Sequence, residues 1–296
     1  MSPLRIWAMA ARPRTLPAAI VPVLVGTAAA VEAAGELSRA GGFVAALAGS
    51  ILIQIGTNLA NDYSDARRGA DTTDRLGPVR VTSSGLVAPR RVLTATWIAF
   101  GAAVACGVYL ATVAGVVILL VGAVSIAAGI LYTGGPRPYG YAGLGEVFVF
   151  LFFGLVAVNG SYYVQLEQID LLPLGLSISV GFLSTAILVV NNIRDLETDR
   201  RAGKTTLAVR IGRGRAVALY RLLVVGAYAM VPITLLAAGT SALPLIALAS
   251  LPLALPPLRT LASRTDGAAL NSALAATGTL LAAFGLLLSV GLLPVG

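Results

Sequence analysis

Residues 43–71 read FVAALAGSILIQIGTNLANDYSDARRGAD, an apolar run that passes into amides and carboxylates. With its flanks, the apolar part is long enough to cross a bilayer as a helix. On such a helix four polar side chains share one face, and we call them the first acidic motif: Asn58, Asn61, Asp62 and Asp65. Ionisable groups in or near a membrane span are costly, so they usually face a cavity and serve a function. The stretch therefore predicts a membrane helix that ends in a polar site.

A second stretch of the same kind reads AILVVNNIRDLETD at residues 186–199. Its polar side chains again share one helical face, and we call them the second acidic motif: Asn191, Asn192, Asp195 and Asp199. Hard divalent cations take oxygen ligands, and magnesium in particular is bound through a few carboxylates together with substrate phosphates. The two motifs therefore indicate a magnesium site. The simpler alternative is two hydrated helix ends whose acids only balance nearby arginines.

The composition indicates an all-α, polytopic membrane protein. Of the 296 residues, 57% are apolar and only 11% are charged, whereas a soluble domain carries about 25% charged residues. The sequence lacks the alternation of a membrane β-barrel, and lipid tolerates only helices or closed barrels. We predict one transmembrane domain over residues 1–296 with nine spans: 15–34, 41–62, 93–111, 113–132, 144–163, 171–192, 216–238, 242–258 and 270–292.

The basic residues predict the orientation of these spans. Every Lys and Arg except Arg39 falls in the N-terminal segment, in the loops after spans 2, 4, 6 and 8, or, for Arg221, near the start of the span that follows the loop after span 6. Such an excess marks the cytoplasmic side. We therefore expect a multi-pass protein of the bacterial plasma membrane, with its N-terminus and both motifs on the cytoplasmic side and its C-terminus outside. The first span loosely resembles a signal peptide, but it is longer and holds two prolines, so we interpret it as a membrane helix.

Spans 2 and 6 echo each other, because each ends in an acidic motif and leads into a basic loop. This pattern predicts two four-helix halves and a ninth helix around a shared central cavity. The two loops, residues 65–91 and 194–215, are predicted to form a cytoplasmic cap over the site.

Residue counts exclude several chemistries. The chain has no histidine and a single cysteine, Cys106, so histidine ligands, zinc sites, CxxC redox motifs and Cys–His nucleophiles are ruled out. The sequence has neither a GxxxxGK[ST] loop nor a GxGxxG motif after a strand. The net charge of +8 comes from the cytoplasmic loops, so we expect no nucleic-acid partner.

Basic residues lie beside both acidic motifs. Arg80 follows the first motif, and Lys204 and Arg210 follow the second. In such a composite the carboxylates hold metal ions, the metal ions hold an oxyanion, and the basic side chains clamp its remaining oxygens. Diphosphate is an anion that meets this demand.

The spacing Asn58-x-x-Asn61-Asp62-x-x-Asp65, with Asp71 after it and Asp195-x-x-x-Asp199 later, resembles the UbiA superfamily of intramembrane prenyltransferases. The resemblance covers nearly the whole chain, including the nine-span count. Finer strings resemble the branch that prenylates 1,4-dihydroxy-2-naphthoate in menaquinone biosynthesis: RPRTL at 12–16, YTGGP at 132–136, YAGLGE at 141–146 and NNIRD at 191–195.

This resemblance implies a magnesium-dependent transfer of a polyprenyl group from polyprenyl diphosphate to 1,4-dihydroxy-2-naphthoate. The reaction would release CO2 and diphosphate and give demethylmenaquinone, with the long tail reaching into the lipid bilayer. The resemblance implies four catalytic carboxylates, which also bind the metal: Asp62, Asp65, Asp195 and Asp199. It implies three further residues in the metal shell: Asp71, Asn61 and Asn192.

Eight residues are predicted to contact the substrates: Asn58, Arg80, Lys204, Arg210, Arg137, Tyr132, Tyr139 and Glu146. The basic residues beside the motifs would hold diphosphate oxygens as charge builds on them. Arg137 would pair with the acceptor carboxylate, and Glu146 would orient an acceptor hydroxyl. A structural role for Arg137 in its loop is the alternative.

Two other hypotheses stay open. Another enzyme of the superfamily would use a different acceptor, such as 4-hydroxybenzoate, homogentisate, a haem ring or a lipid-linked sugar phosphate. A secondary transporter also has pseudo-repeated halves, with its acidic residues near the midplane. Here the acids cluster at one end of their helices, which favours the enzyme.

Overall fold

The computed structural model describes residues 1–70 and 76–294. Within these residues the backbone forms helices, turns and no strand, which confirms the predicted fold class. The helices, numbered in chain order, are α1 Pro3–Ala11, α2 Pro17–Ala34, α3 Ala40–Arg67, α4 Pro89–Ala114, α5 Val116–Leu131, α6 Gly145–Leu166, α7 Leu171–Arg201, α8 Leu207–Ile211, α9 Arg213–Ala238, α10 Leu243–Ser263 and α11 Gly267–Gly291.

The predicted spans coincide with apolar helices of the described chain. Eight of these helices are long and apolar enough to cross a membrane: α2, α3, α4, α6, α7, α9, α10 and α11. The remaining predicted span is α5, an apolar helix of 16 residues, slightly shorter than the roughly 20 residues of an ordinary span. The protein is therefore a multi-pass membrane protein.

Both acidic motifs lie on helices that run past the ends predicted for their spans. The hydropathy pattern predicts ends at residues 62 and 192, whereas α3 continues to Arg67 and α7 to Arg201. Asn and Asp side chains often interrupt helices by bonding to the local backbone. Here several of them bond to other segments instead, so the helices continue and each motif occupies the last turns of a long helix.

The two predicted cap loops are only partly loops. The second contains the end of α7 and the short helix α8. In the described part of the first, the Val87 N–H donates to the Val81 carbonyl over 3.0 Å and closes a turn. Val81 is fully buried in a cluster with Leu59 of α3 and Ala10 of α1. Hydrophobic packing therefore holds this turn on α3.

The N-terminal segment forms a helix, α1, that the hydropathy pattern does not predict. It packs against α3 and ends at Arg12, which has a φ of 56°. A positive φ is uncommon for residues other than glycine. Such conformations persist only where the surrounding structure enforces them, and they cluster at functional sites. This end of α1 is therefore a place to look for function.

Helix α7 forms the centre of the bundle and is the most buried of the spans. It packs against α2, α6, α9 and α11. Each helix with an acidic motif makes its most extensive contact with the span that follows it, α4 for α3 and α9 for α7. This shared pattern is what two related halves would produce.

Helix α6 approaches α7 through a pair of glycines. A Cβ atom built on Gly154 would lie 2.6 Å from the Cα of Gly181, so the contact depends on small residues, as is common between membrane helices. The adjoining segment Phe150–Val156 is wound as a π-helix. π-Helical turns inside α-helices frequently occur at functional sites. This turn carries Phe152 and Phe153, which line the central cavity.

Candidate active site

A central cavity of about 340 Å³ lies between the spans, and most of its wall is apolar. Its polar lining comes from residues of both motifs and of the loops: Asn58, Asn61, Asp65, Arg80, Asn191, Asn192, Asp195, Asp199 and Lys204. The structure therefore brings the two distant motifs to one place. We call this part of the cavity the polar end.

Asp65 is the centre of the polar end on the α3 side, where its side chain is almost fully buried. Its Oδ2 accepts a hydrogen bond from Arg80 Nη2 at 3.0 Å. Its Oδ1 accepts one from the Tyr141 hydroxyl at 2.7 Å and lies 3.4 Å from Lys204 Nζ. A buried carboxylate needs such partners, because its desolvation costs several kcal/mol. The same two cations are available to a bound anion.

Tyr141 connects three segments at this point. Besides its bond to Asp65, its ring lies 4.7 Å from the ammonium group of Lys204. Its carbonyl accepts hydrogen bonds from the N–H and the hydroxyl of Thr205, at 3.0 and 2.8 Å. The loop before α6 and the segment before α8 are thereby fixed against the end of α3.

Asp62 has a different role in the structure from the one predicted. Its two carboxylate oxygens accept hydrogen bonds from the backbone N–H groups of Val81 and Thr82, at 3.1 and 2.9 Å. It is not among the side chains that line the cavity. Asp62 fixes the turn that carries Arg80, and this places the arginine beside Asp65. Its assignment as a metal ligand stays a prediction.

Asp195 is held by the neighbouring Arg194 on the α7 side. Arg194 Nε donates to Oδ1 at 2.8 Å, and Nη2 donates to Oδ2 at 2.6 Å. A two-point pair of this kind fixes the plane of the carboxylate. Arg194 also donates to Asn191 Oδ1 at 2.8 Å and to Asn271 Oδ1 at 2.9 Å. Asp199 lines the same cavity one turn further along the helix.

The amides of the motifs are also tied to neighbouring helices. Asn61 accepts a hydrogen bond from the Thr133 hydroxyl at 2.8 Å, and Asn192 donates to Glu146 Oε1 at 2.9 Å. Asn58 donates to the Ala11 carbonyl at 3.0 Å. Glu146 is only 7% exposed and does not line the cavity. It can therefore influence the site through Asn192, and a direct contact with the acceptor stays a prediction.

Two of the predicted tyrosines face the cavity. Tyr132 and Tyr139 pack edge to face with ring centroids 5.4 Å apart, and Tyr139 stacks on Phe148 at 3.9 Å. The Tyr139 hydroxyl donates to the Ala128 carbonyl at 2.9 Å. Burial raises the pKa of the Tyr139 phenol above the ordinary value for tyrosine. Tyr139 therefore stays protonated as a donor, and the two rings form an aromatic part of the cavity wall.

Besides Asp62 and Glu146, two further predicted site residues are not among the side chains that line the cavity. Arg137 and Arg210 are exposed and absent from its lining. Arg210 lies on α8 and donates to the Thr205 carbonyl at 3.2 Å, whereas Lys204, just before that helix, reaches the polar end. Asp71 lies outside the described residues.

Other residues at or near the polar end are not predicted as site residues. Arg12 lines the cavity, and the adjoining backbone is held by Asn58 and by the Thr15 hydroxyl, which donates to the Arg12 carbonyl at 3.0 Å. Tyr141, Arg194 and Asn271 are further examples. Arg12, Tyr141 and Arg194 belong to the strings that suggested the family, but Asn271 carries no sequence signal. Its contacts join segments that lie far apart in the chain.

The donor set suits a hard cation. Asp65, Asp195 and Asp199 present carboxylate oxygens to one cavity, and amide oxygens surround them. Among residues 1–70 and 76–294, no group of three or more His, Cys, Asp or Glu side chains is already gathered as a metal cluster. Asp65 and Asp195 instead pair with arginine and lysine side chains. A diphosphate that drew these cations to itself would leave carboxylate oxygens for metal ions.

Sequence comparisons identify the family of the chain. The model of the UbiA prenyltransferase family matches residues 19–280. The chain is 47% identical over 215 residues to the 1,4-dihydroxy-2-naphthoate octaprenyltransferase of Mycobacterium tuberculosis, with 73% of each chain covered. It is 42% identical over 272 residues to the enzyme of the same name from Mycobacterium leprae, which covers 92% of this chain and 90% of the relative.

The fold also resembles a solved structure. A UbiA homolog from Archaeoglobus fulgidus, bound to DMAPP and Mg2+, superposes with a TM-score of 0.63. The alignment covers 96% of this chain and 99% of the other at 15% identity. At this level of identity the likeness establishes the fold and leaves the site to be argued from the residues present.

Proposed function

Because the chain belongs to the UbiA prenyltransferase family and is therefore a prenyltransferase, we propose that it transfers a polyprenyl group from polyprenyl diphosphate to 1,4-dihydroxy-2-naphthoate. The observation that carries this proposal is one cavity with two chemically different parts. Carboxylates and cations of both motifs form its polar end, and apolar side chains form the rest of its wall. Relatives at 42–47% identity carry the name of this activity.

The polar end is suited to a diphosphate. Arg80 and Lys204 already neutralise Asp65 across a buried pair of contacts, and both can turn to diphosphate oxygens without crossing the cavity. Bound magnesium would neutralise the charge that builds on the leaving diphosphate and so favour breakage of the allylic C–O bond. Asp65, Asp195 and Asp199 are the residues that would hold it.

The apolar wall is suited to the prenyl chain. Phe148, Phe152 and Phe153 line the cavity together with aliphatic residues of α3, α4 and α5. These side chains exclude water, which would otherwise capture an allylic cation. Aromatic ring faces also attract positive charge. The wall thereby protects the reacting carbon until the acceptor attacks.

Arg12 is the residue best placed to hold the acceptor carboxylate. The cationic side chains on the wall of the cavity are Arg12, Arg80 and Lys204, as far as the described chain extends. Two of these surround Asp65 at the polar end, whereas Arg12 approaches from the end of α1. The exposed Arg137 does not reach the cavity. We therefore assign to Arg12 the pairing with the acceptor carboxylate that the sequence suggested for Arg137.

The electron count defines the first product. The C–O bond breaks with both electrons on the diphosphate, a ring carbon forms the new C–C bond, and the carboxylate leaves as CO2. The ring keeps its two hydroxyl groups, because exchange of a carboxylate for a prenyl cation changes no oxidation level. The direct product is therefore the hydroquinone form of demethylmenaquinone, and the quinone follows on oxidation.

The test uses the full chain in nanodiscs with the acceptor, a polyprenyl diphosphate and magnesium, and measures prenylated product by mass spectrometry. We expect Asp195→Asn to lower product formation at least a hundredfold, and EDTA to abolish it. Glu197→Gln is the matched control, since Glu197 is an exposed acid on the same helix that pairs with Arg200. It should retain wild-type turnover.

The same assay separates the remaining hypotheses. Turnover with 4-hydroxybenzoate or homogentisate, and none with the naphthoate, would keep the prenyltransferase and reject the proposed acceptor. Equal activity of Asp195→Asn and wild type would reject the second motif as part of the site. The transporter hypothesis has no support, since the family to which the chain belongs is one of prenyltransferases.

A further inference from the structure

We propose that Asn271, on the last span, is a positioning residue that couples the second acidic motif to the loop that follows the first motif. The proposal rests on the proposed function where it concerns substrate binding. Asn271 does not line the cavity, so any effect on substrate must pass through the residues it holds.

The two ends of the Asn271 amide serve two different segments. Its Oδ1 accepts a hydrogen bond from Arg194 Nη1 at 2.9 Å, and its Nδ2 donates to the Leu76 carbonyl at 2.8 Å. The partners lie 77 and 195 residues away in the sequence. An amide carries both a donor group and an acceptor group, and no side chain of similar size with a single type of group can make both bonds.

The first contact determines the position of Arg194. This arginine is buried and grips both oxygens of Asp195. A guanidinium group is planar, so a bond to Nη1 fixes the orientation of the whole fork. Asn271 therefore helps to set the plane in which the Asp195 carboxylate presents its oxygens to the cavity.

The second contact anchors the loop that follows the first acidic motif. Leu76 begins the described part of the chain that leads to Arg80. The start of α11 also packs directly on it, because a Cβ atom built on Gly267 would lie 3.0 Å from the Leu76 Cβ. A polar bond and a close van der Waals contact thus join the last span to this loop. Through Asn271, the loop and Asp195 share one support.

The coupling should appear in the affinity for polyprenyl diphosphate. Asn271→Ala removes both bonds, and the loss of a hydrogen bond to a charged group is worth enough to change an affinity about tenfold. We expect the KM for polyprenyl diphosphate to rise about tenfold, while the KM for the naphthoate stays within about twofold. A variant with only a packing defect would change both constants or lower the amount of folded enzyme.

Asn271→Asp separates the two contacts. Its carboxylate still accepts from Arg194 but cannot donate to the Leu76 carbonyl. We expect trypsin to cleave the loop after Arg80 faster than in wild type, while the KM for polyprenyl diphosphate rises less than in Asn271→Ala, because Arg194 keeps its acceptor. Asn271→Ala should show both defects. Ser272→Ala is the control, because that hydroxyl donates to the Ala268 carbonyl of its own helix.

The experiment measures kinetics and tryptic cleavage on the full chain in nanodiscs, with cleavage followed without substrate. Equal changes of both KM values in Asn271→Ala would overturn the proposal, and so would cleavage rates equal to those of Ser272→Ala. If wild type forms no product from the naphthoate, the proposed function fails. The cleavage comparison would still decide whether Asn271 anchors the loop.

Discussion

At the scale of single residues, the site works through pairs that cancel charge. Asp65 is surrounded by Arg80, Lys204 and the Tyr141 hydroxyl, and Asp195 by Arg194. Buried charges without partners would strongly destabilise the fold. An anionic substrate can bind at the same positions, where it would replace a carboxylate as the partner of these cationic side chains. The stability of the fold and the affinity for diphosphate therefore depend on the same side chains.

Arg12 provides the prediction at this scale. Arg12→Gln removes the charge and keeps a polar side chain, so we expect the KM for the naphthoate to rise at least tenfold while the KM for polyprenyl diphosphate changes less than threefold. The matched variant is Arg137→Gln, which removes a charge from an exposed residue. Steady-state kinetics with each substrate varied in turn is the measurement. A larger rise of the KM for the naphthoate in Arg137→Gln than in Arg12→Gln would instead assign the acceptor carboxylate to Arg137.

At the scale of helices, the sequence predicts the spans well and their contacts poorly. Hydropathy places the spans, because every residue of an apolar run contributes to the signal. The position of Asp62 behind the cavity lining and the exposure of Arg210 depend instead on where a turn packs and which way a short helix faces. The contact of Asn271 with Leu76 spans 195 residues, and no local pattern records it. Each motif and its basic neighbours Arg80 and Lys204 could be predicted, but the contacts that Asp62, Asn192 and Asn271 make with other segments could not.

The contact between α6 and α7 allows a prediction about stability. Gly154→Ala would place its Cβ 2.6 Å from the Gly181 Cα and 2.8 Å from the Ser177 carbonyl oxygen. Such overpacking costs about 1–3 kcal/mol, so we expect a lower unfolding temperature in detergent. The control is Gly160→Ala on the same helix, where a Cβ meets no atom within 4 Å and alanine favours the helix. Equal unfolding temperatures for the two variants would show that α6 can move away without cost.

At the scale of the whole molecule, the two ends of the bundle have different charge. The end with both motifs carries the basic loops, whereas the opposite end holds Arg39 in an ion pair with Glu167. Arg39 also exchanges two backbone hydrogen bonds with the Gln165 side chain, at 2.9 and 3.1 Å. These contacts join the start of α3 to the end of α6. The opposite end is thus closed by contacts within the protein.

This asymmetry predicts the orientation in the membrane, which no contact within the protein defines. By the excess of basic residues, the N-terminus and the polar end should face the cytoplasm. A fluorescent protein fused to the N-terminus should be bright in bacterial cells, and an alkaline phosphatase fused after residue 294 should be active outside the membrane. Exchange of the two reporters should abolish both signals. The reverse result would place the polar end on the outer side.

The single polar end has a consequence for turnover. Both substrates enter the proposed reaction with an anionic group, the diphosphate on one and the carboxylate on the other, and the cations at this end retain them. The reaction removes both groups, as free diphosphate and as CO2. What remains is a lipid with two hydroxyl groups, for which Arg12, Arg80 and Lys204 have no counter-charge. Chemistry itself thus converts retained substrates into a product that partitions into the bilayer, and the enzyme needs no separate device to expel it.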